Sequence, residues 1–465
     1  MCADRFIYEG YELDAGGRRV VCRYALGPHR FTEEVTFSPA SRTDAPADAD
    51  EMWSAAWDSA AVDAAARILF LLAGVSYYKT GAPPVVDLGT LATTAAERAF
   101  LRTFYVEGLA EFAYRNAVDL SGLEIVGDDV AGRPPVGAAL TTARPLVPFG
   151  AGIDSIVTVD HIARRGVDPS LFVVSRAGDR FAAIEEAAAV TGLPVVRAER
   201  RVDPSVLQSA ANGFLNGHVP VTGILSAIAV VAAVLGGHDA VVMSNERSAS
   251  APTVWDGGRP VNHQWSKSAE FETAFRGILA GSLSPAPEYF SLLRARSELW
   301  VARELAGLDR FHPVVRSCNR VFAIDPSRRL DHWCGACDKC CFVDLVLAPY
   351  VGAAELSTIF GGHEPLANPA LSERFRALVG TGDGPKPFEC VGDEPECRAA
   401  TVLAAARPDR AGTAQLERLA AEVLAATALL ADPASRATVI QRLLAAGGPD
   451  AVPARYRDET RAAAR

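Results

Sequence analysis

The chain has no surplus of positive charge: 46 Lys and Arg stand against 56 Asp and Glu, for a formal net charge of −10, and the basic residues are scattered along it. A nucleic-acid binder gathers its cations into a stripe that meets the phosphate backbone, so that class is disfavoured and a small-molecule substrate fits better. No basic and apolar leader precedes the first polar residues, and the longest apolar run, near residues 224–235, is too short to span a bilayer. A cytoplasmic protein without a membrane partner is expected. No internal repeat is found. Nine cysteines in a cytoplasmic chain of 465 residues do not suit a disulfide framework, and their crowding into one region points to metal or redox chemistry.

What is present is apolar material, 49% of residues, enough for a large core in a chain too long for one ordinary domain. Residues 5–38 alternate apolar and polar between Gly-rich turns, the pattern of short antiparallel strands. Helical spacing follows over 54–72 and 93–118, giving an expected α+β domain over 1–140 that ends in a polar link at 127–135. The character then changes. Strands at 145–149, 171–175, 194–198 and 240–244 alternate with helices at 154–165, 180–191 and 219–235, as in a parallel sheet covered on both faces. This α/β unit is expected over 141–345, and an Ala- and Leu-rich helical region for packing or an interface over 346–465. Ligands of such sheets sit at the carboxyl ends of the strands, which here carry residues 150–155, Ser175 with Arg176, and 244–248.

Phe149, Gly150, Ala151, Gly152, Ile153, Asp154 and Ser155 follow one of these strands directly and open a helix. Glycines let the backbone turn sharply and present N–H groups to an anion, and the helix N-terminus adds partial positive charge. Ser155 can donate to a phosphate oxygen, while Asp154 can cap the helix or orient a metal ion and the loop. The run resembles the Ser-Gly-Gly-x-Asp-Ser loop of PP-loop ATP pyrophosphatases, with Gly150 in the place of serine and Ala151 in that of a glycine. That resemblance implies a PP-loop fold of the HUP type and a cradle for the β- and γ-phosphates of ATP. A plain strand-to-helix turn with a capping Asp is the bland reading.

Cys334, Cys337, Cys340 and Cys341 fall within eight residues, with Cys318 sixteen residues upstream of the first. Two Cys-x-x-Cys steps let thiolates converge on a tetrahedral ion, and a distant fourth closes the shell. The spacing resembles the zinc site of 7-cyano-7-deazaguanine synthases, themselves PP-loop enzymes. It implies Cys318, Cys334, Cys337 and Cys340 as ligands of a structural Zn2+ and leaves Cys341 over. An iron–sulfur cluster uses the same spacing, and buried thiols without metal are the remaining reading.

Further strings narrow the choice: residues 244–249, residues 261–268, Trp333-Cys334-Gly335, and residues 387–392. With the loop they resemble the UDP-N-acetyl-α-D-muramoyl-L-alanyl-L-glutamate epimerase family (MurL) over roughly residues 145–392. That family commonly shows a Gly-Gly-Gly-Lys-Asp-Ser loop, whereas Ala151 and Ile153 stand here, so phosphate charge falls to Mg2+, Arg247 or Lys267. The resemblance implies an ATP-hydrolysing isomerase of peptidoglycan precursor biosynthesis. Its substrate would be UDP-MurNAc-L-Ala-L-Glu, whose terminal L-glutamate becomes D-glutamate while ATP is split to AMP and pyrophosphate. ATP is needed on chemical grounds: an α-proton beside an ionised carboxylate is scarcely acidic, and adenylation of that carboxylate removes its charge.

Candidate catalytic residues are Glu246 (a base, a magnesium ligand, or a salt-bridge partner of Arg247), Arg247 as an anion grip, His263 as a general base, and Lys267 as a phosphate contact. His263 and Lys267 share a face if their stretch is helical. Cys341 and Cys390 are the candidate pair of thiols flanking the α-carbon. Ser175, Ser244 and Asn245 join the loop as nucleotide contacts, and Tyr77, Tyr78 and Lys79 either meet the sugar nucleotide or pack in the core. Competing readings are a PP-loop carboxylate-activating ligase or nitrile synthase, a tRNA-modifying enzyme, and an inactive zinc scaffold. The acidic charge balance predicts no retention of tRNA by the protein in filter binding at physiological salt; saturable retention there contradicts it.

Overall fold

The computed structural model describes residues 4–40 and 49–457. Its strands are β1 (Arg5–Asp14), β2 (Arg19–Leu26), β3 (His29–Ser38), β4 (Val85–Asp87), β5 (Glu124–Val126), β6 (Thr141–Pro148), β7 (Ser170–Arg176), β8 (Val195–Arg201), β9 (His238–Met243), β10 (Val254–Asp256), β11 (Arg259–Val261) and β12 (Glu288–Ser291). Apart from the β10–β11 ribbon they form one sheet in the order β12-β9-β6-β7-β8-β3-β2-β1-β4-β5. Pairing is parallel from β12 to β8, antiparallel from β8 to β1, and parallel again to β5. The fold is therefore mixed α/β with a large, mostly parallel sheet.

Alternation along the central strands assigns residues to two cores. Leu146, Phe172, Val196, Val241 and Met243 face one apolar cluster; Val147, Leu171, Val173, Ala240 and Val242 face the other. Both faces are covered, which is why these strands read as continuous apolar runs. The first face is covered by the helices Ala60–Ala73 and Val221–Gly236. The second carries the helices Ile153–Ala163, Glu298–Ala306, Asp338–Leu347 and Glu394–Ala405. Ala60–Tyr78 is long and apolar enough to cross a membrane, but 83% of that window is buried inside the protein, so it is a core segment.

The sheet does not stop at residue 140, where a domain boundary was expected. β3 lies antiparallel to β8, from Glu34 opposite Arg201 to Ser38 opposite Arg197. A buried ion pair pins this seam: Arg200 Nε and Nη2 donate to the Glu33 carboxylate at 2.8 and 3.0 Å, and the Tyr77 hydroxyl donates to it at 2.9 Å. Tyr77 and Tyr78 are wholly buried, and Lys79 donates to Asn216 Oδ1 at 2.7 Å, so this trio packs in the core. The helix expected over 93–118 is two helices, Ala95–Gly108 and Ala110–Asn116. The first starts in a capping box of Thr94 and Glu97; at its end a Cβ on Gly108 would lie 2.7 Å from Pro220. Beyond residue 346 the chain is helical, and its tail returns to the sheet where the Tyr456 hydroxyl donates to Asp239 Oδ1 at 2.8 Å.

Removing one partner of a buried pair strands the other charge, so Glu33→Ala should lower the unfolding free energy by about 3–5 kcal/mol in urea titration. A loss below about 1 kcal/mol, the range of exposed pairs, would show that the seam does not depend on it.

Candidate active site at the carboxyl edge of the sheet

From β6 the chain moves through β7 to β8 on one side, then returns to place β9 on the other, so the order reverses between β6 and β9. Open α/β sheets bind ligands at such a point, beyond the carboxyl ends of the strands. A cleft of about 370 Å³ lies there, lined by the loop after β6, by Phe172 and Val174 of β7, and by residues 243–246 after β9.

The loop is seated by the Phe149 N–H, which donates to the Phe172 carbonyl at 2.8 Å. Ala151 takes a left-handed φ of 60°, costly for a residue with a Cβ; it is wholly buried, and its carbonyl accepts from the Arg316 N–H at 3.1 Å. Gly152 caps the helix Ile153–Ala163, and a Cβ there would lie 2.6 Å from Asp154 Oδ1. Gly150 faces open space, with nothing within 4 Å of a Cβ, where the PP-loop pattern carries serine. Asp154 Oδ1 accepts from the Ser155 N–H at 2.8 Å, and Ser155 Oγ donates to the Gly152 carbonyl at 3.1 Å.

Across from the loop, Asn245 Nδ2 donates to Ser291 Oγ at 3.1 Å. The buried Ser244 hydroxyl and Glu246 Oε1 have no partner among the described residues. Burial, then the neighbouring Glu298 and Asp154, push the Glu246 carboxyl well above the carboxylate range. Burial also pushes Glu298 up to about 7, against the pull of Lys339 and with Asp154 adding to the rise. Lys267 has its Nζ 3.5 Å from Cys390 Sγ, and Cys390, Asp154 and Glu246 hold it above the usual lysine value in spite of burial. For Cys390 burial works upward, but Lys267, His263 and Lys339 outweigh it and bring the thiol down to about 6. These cations therefore favour the Cys390 thiolate over the thiol. Arg316 completes the cationic lining; its Nε is buried without a partner among the described residues.

The sequence reading placed most of these groups. Phe149, Gly150, Gly152, Asp154, Ser155, Ser244, Asn245, Glu246, Lys267 and Cys390 all line the cleft. His263 does not line it directly but acts on Cys390 electrostatically, helping to bring its thiol down. It and Lys267 converge there through a 3₁₀ turn, Trp265–Lys267, and not through the α-helix that their spacing suggested. Four expectations differ. Arg247 turns away, its Nη1 2.6 Å from where a Cβ on Gly447 would stand, because the chain enters a 3₁₀ turn, Arg247–Ser250, right after Glu246. Ser175 points off the cleft, since alternation along β7 gives that side to Val174. Ala151 supports the loop from beneath. Cys341 is sealed in the second core on the helix Asp338–Leu347, its thiol pushed up to about 12 by burial, so the structure does not bring it to Cys390. Glu298, Arg316 and Lys339 were missed. Glu298 follows the N-cap Ser297 and reads as an ordinary first-turn acid, and Lys339 is hidden among cysteines.

Cys318, Cys334, Cys337 and Cys340 converge beside the cleft and can hold a metal ion. Their sulfurs are 3.9 Å (Cys318 to Cys337), 3.6 Å (Cys334 to Cys340) and 3.5 Å (Cys337 to Cys340) apart. Four sulfurs at about 2.3 Å from one ion in a tetrahedron are spaced by about 3.8 Å, so the set fits a single ion. A cluster, whose thiolates bind different irons, would hold them further apart. The knuckle needs Gly335, which has φ 63° and where a Cβ would collide with the His363 carbonyl. Trp333 Nε1 anchors it by donating to the Val315 carbonyl at 3.0 Å. One residue past the N-cap Cys337 and its successor, Lys339 reaches out of the knuckle to donate to the Cys390 carbonyl.

A switch-point cleft with a glycine-bearing loop on one wall and the Cys390 thiol beside Lys267 on the other is where an α/β protein of this kind carries its ligand site. The MurL N-terminal domain matches over residues 2–292 and the MurL C-terminal domain over residues 314–433. The chain belongs to the MurL epimerase family and is thus an isomerase. It is 39% identical to the UDP-N-acetyl-alpha-D-muramoyl-L-alanyl-L-glutamate epimerase of Salinispora tropica, over 98% of this chain and 95% of that protein. Proteins of the same name from Micromonospora sp. and Xanthomonas oryzae pv. oryzae are 39% and 38% identical, over 97% and 79% of this chain and 97% and 80% of theirs. No solved structure matches the chain.

Elemental analysis of the protein purified without chelator should find about one tetrahedrally bound metal ion per chain, and Cys337→Ser should lose it together with thermal stability. A metal-free wild type with unchanged melting on metal addition would contradict the site.

Proposed function

We propose that this chain converts the terminal L-glutamyl residue of UDP-MurNAc-L-Ala-L-Glu to D-glutamyl, activating its carboxylate with ATP first. The observation that carries the reading is the shared cleft: a loop suited to phosphates and an ionised thiol suited to an α-proton line the same space. In this reading the unit around β6 to β9 is a PP-loop nucleotide site. The apolar side chains of Phe172, Val174, Ile184, Leu225 and Met243 suit an adenine ring, and the backbone amides of residues 150–155 suit the triphosphate. The charge that the family lysine would supply at position 153 falls to Lys267 and Arg316, not Arg247. Asp154 and Glu298, hard oxygen donors whose mutual repulsion a cation relieves, would hold Mg2+, which supplies charge screening between the incoming carboxylate and the phosphates. Cys318, Cys334, Cys337 and Cys340 would hold a structural Zn2+, a closed four-sulfur shell that fixes Lys339 and, through it, the Cys390 segment.

The glutamyl carboxylate displaces pyrophosphate from the α-phosphorus, and the resulting acyl adenylate carries no charge beside the α-carbon. The Cys390 thiolate takes the α-proton. The Glu246 carboxyl, whose protonated form burial favours, returns a proton to the other face, and water releases AMP and the epimerised acid. Such a two-base arrangement needs one thiol, so the burial of Cys341 is no obstacle.

Incubation with the L-Ala-L-Glu precursor, ATP and magnesium in heavy water should give D-glutamate carrying deuterium, with AMP formed. Cys390→Ser should lower turnover by about 10²–10⁴-fold. Equal deuterium uptake without ATP overturns the activation step, and an all-L product formed alongside AMP moves the reading to a ligase.

A further inference from the structure

We infer that Glu111 is a positioning residue of the active site, completing with His263 and Cys390 a carboxylate–imidazole–thiol triad assembled from both halves of the chain. Glu111 lies on the helix Ala110–Asn116, is 5% exposed, and has its Oε2 2.5 Å from His263 Nδ1. Its Oε1 accepts from Arg115 Nε at 2.6 Å, which fixes the carboxylate. With Nδ1 taken, Nε2 is the ring nitrogen left to serve the Cys390 thiol, whose ionisation His263 favours and which in turn favours the charged imidazole. This is the order of groups that activates a cysteine: a base in reach of the thiol, and a third group orienting the base.

The same helix grips the Cys390 segment a second time. Phe388, two residues before Cys390, lies under the Arg115 guanidinium at 4.7 Å and beside the Tyr114 ring at 5.8 Å. The helix thus positions the sulfur through its chain and charges it through His263. In the resting enzyme the S–H bond of Cys390 breaks and an N–H bond forms on His263, leaving a thiolate beside an imidazolium whose charge Glu111 balances. The other groups around the pair keep this direction. His218, its ring 4.2 Å from that of His263, is pushed down to about 4, chiefly by burial, and stays neutral. Lys267 and Lys339 face the sulfur, Lys79 lies beyond His218, and Glu298 is the acid that opposes ionisation.

The inference rests on the reading of Cys390 as the base, yet its test needs neither ATP nor precursor. The full-length protein is alkylated with iodoacetamide across a series of pH values, and the rate at Cys390 is read by peptide mass spectrometry. Wild type should reach half its maximal rate near pH 6, far below the ordinary thiol value of about 8.5. Without the Glu111 charge His263 binds its proton less tightly and the thiolate loses a cation, so Glu111→Gln should move the midpoint to higher pH. At pH near 5, below both midpoints, it should slow alkylation about tenfold for one unit of thiol pKa, and at pH near 6.5 about threefold. Glu111→Asp should restore part of the shift, and His263→Asn, on a different element, should reproduce it. A wild-type midpoint near the ordinary thiol value, or one that Glu111→Gln and His263→Asn leave in place, overturns the triad. If the midpoint shifts as described but glutamate stays L with ATP and precursor present, the triad stands and the proposed epimerisation falls.

Discussion

One ammonium group holds the cleft together. Lys267 stands 3.5 Å from the Cys390 sulfur and faces Asp154 and Glu246 as well. Without a cation there, two carboxylates and a thiol would share a space shielded from water, where each ionised group raises the cost of the next. With it, the groups divide. Cys390 is brought down to about 6, while the Glu246 carboxyl is pushed well above the carboxylate range. Environments that push neighbouring titratable groups apart in this way supply a base and an acid in one site.

That arrangement depends on elements far apart in the chain. The turn from β6 into the helix Ile153–Ala163 brings Asp154, the stretch after β9 brings Glu246, and the 3₁₀ turn Trp265–Lys267 brings Lys267. The four-cysteine knuckle delivers Lys339 to the Cys390 carbonyl, so a structural metal there would bear on catalysis through one side chain. The N-terminal strands extend the sheet through β3 and β8, and Glu111, from the same half of the chain, reaches His263.

Where the sequence was legible, the reason is local. The loop at 149–155, the strand–helix alternation around it and the cysteine knuckle each signal within a dozen or so residues, and each lies where its spacing suggested. Glu111, Glu298 and Arg316 carry no local signal, because contact across the fold alone brings them to the cleft and its neighbours; Glu111 meets His263 across 152 positions. Register defeated Ser175, whose neighbour Val174 has the cleft side of β7, and a turn of the chain defeated Arg247. The two thiols Cys341 and Cys390 look alike in sequence and differ in the charges around them: burial raises both, but one is pushed up to about 12 beside acids and the other brought down to about 6 between cations.

If the loop and the thiol are separate half-sites of one cleft, activation must survive loss of the base. The most direct measurement is the exchange of labelled pyrophosphate into ATP by the Cys390→Ser variant, with and without the L-Ala-L-Glu precursor. The predicted result is exchange that requires the precursor and persists in the variant while epimerisation is lost. Absence of precursor-dependent exchange in the active wild type would contradict carboxylate adenylation, and with it the proposed role of the loop.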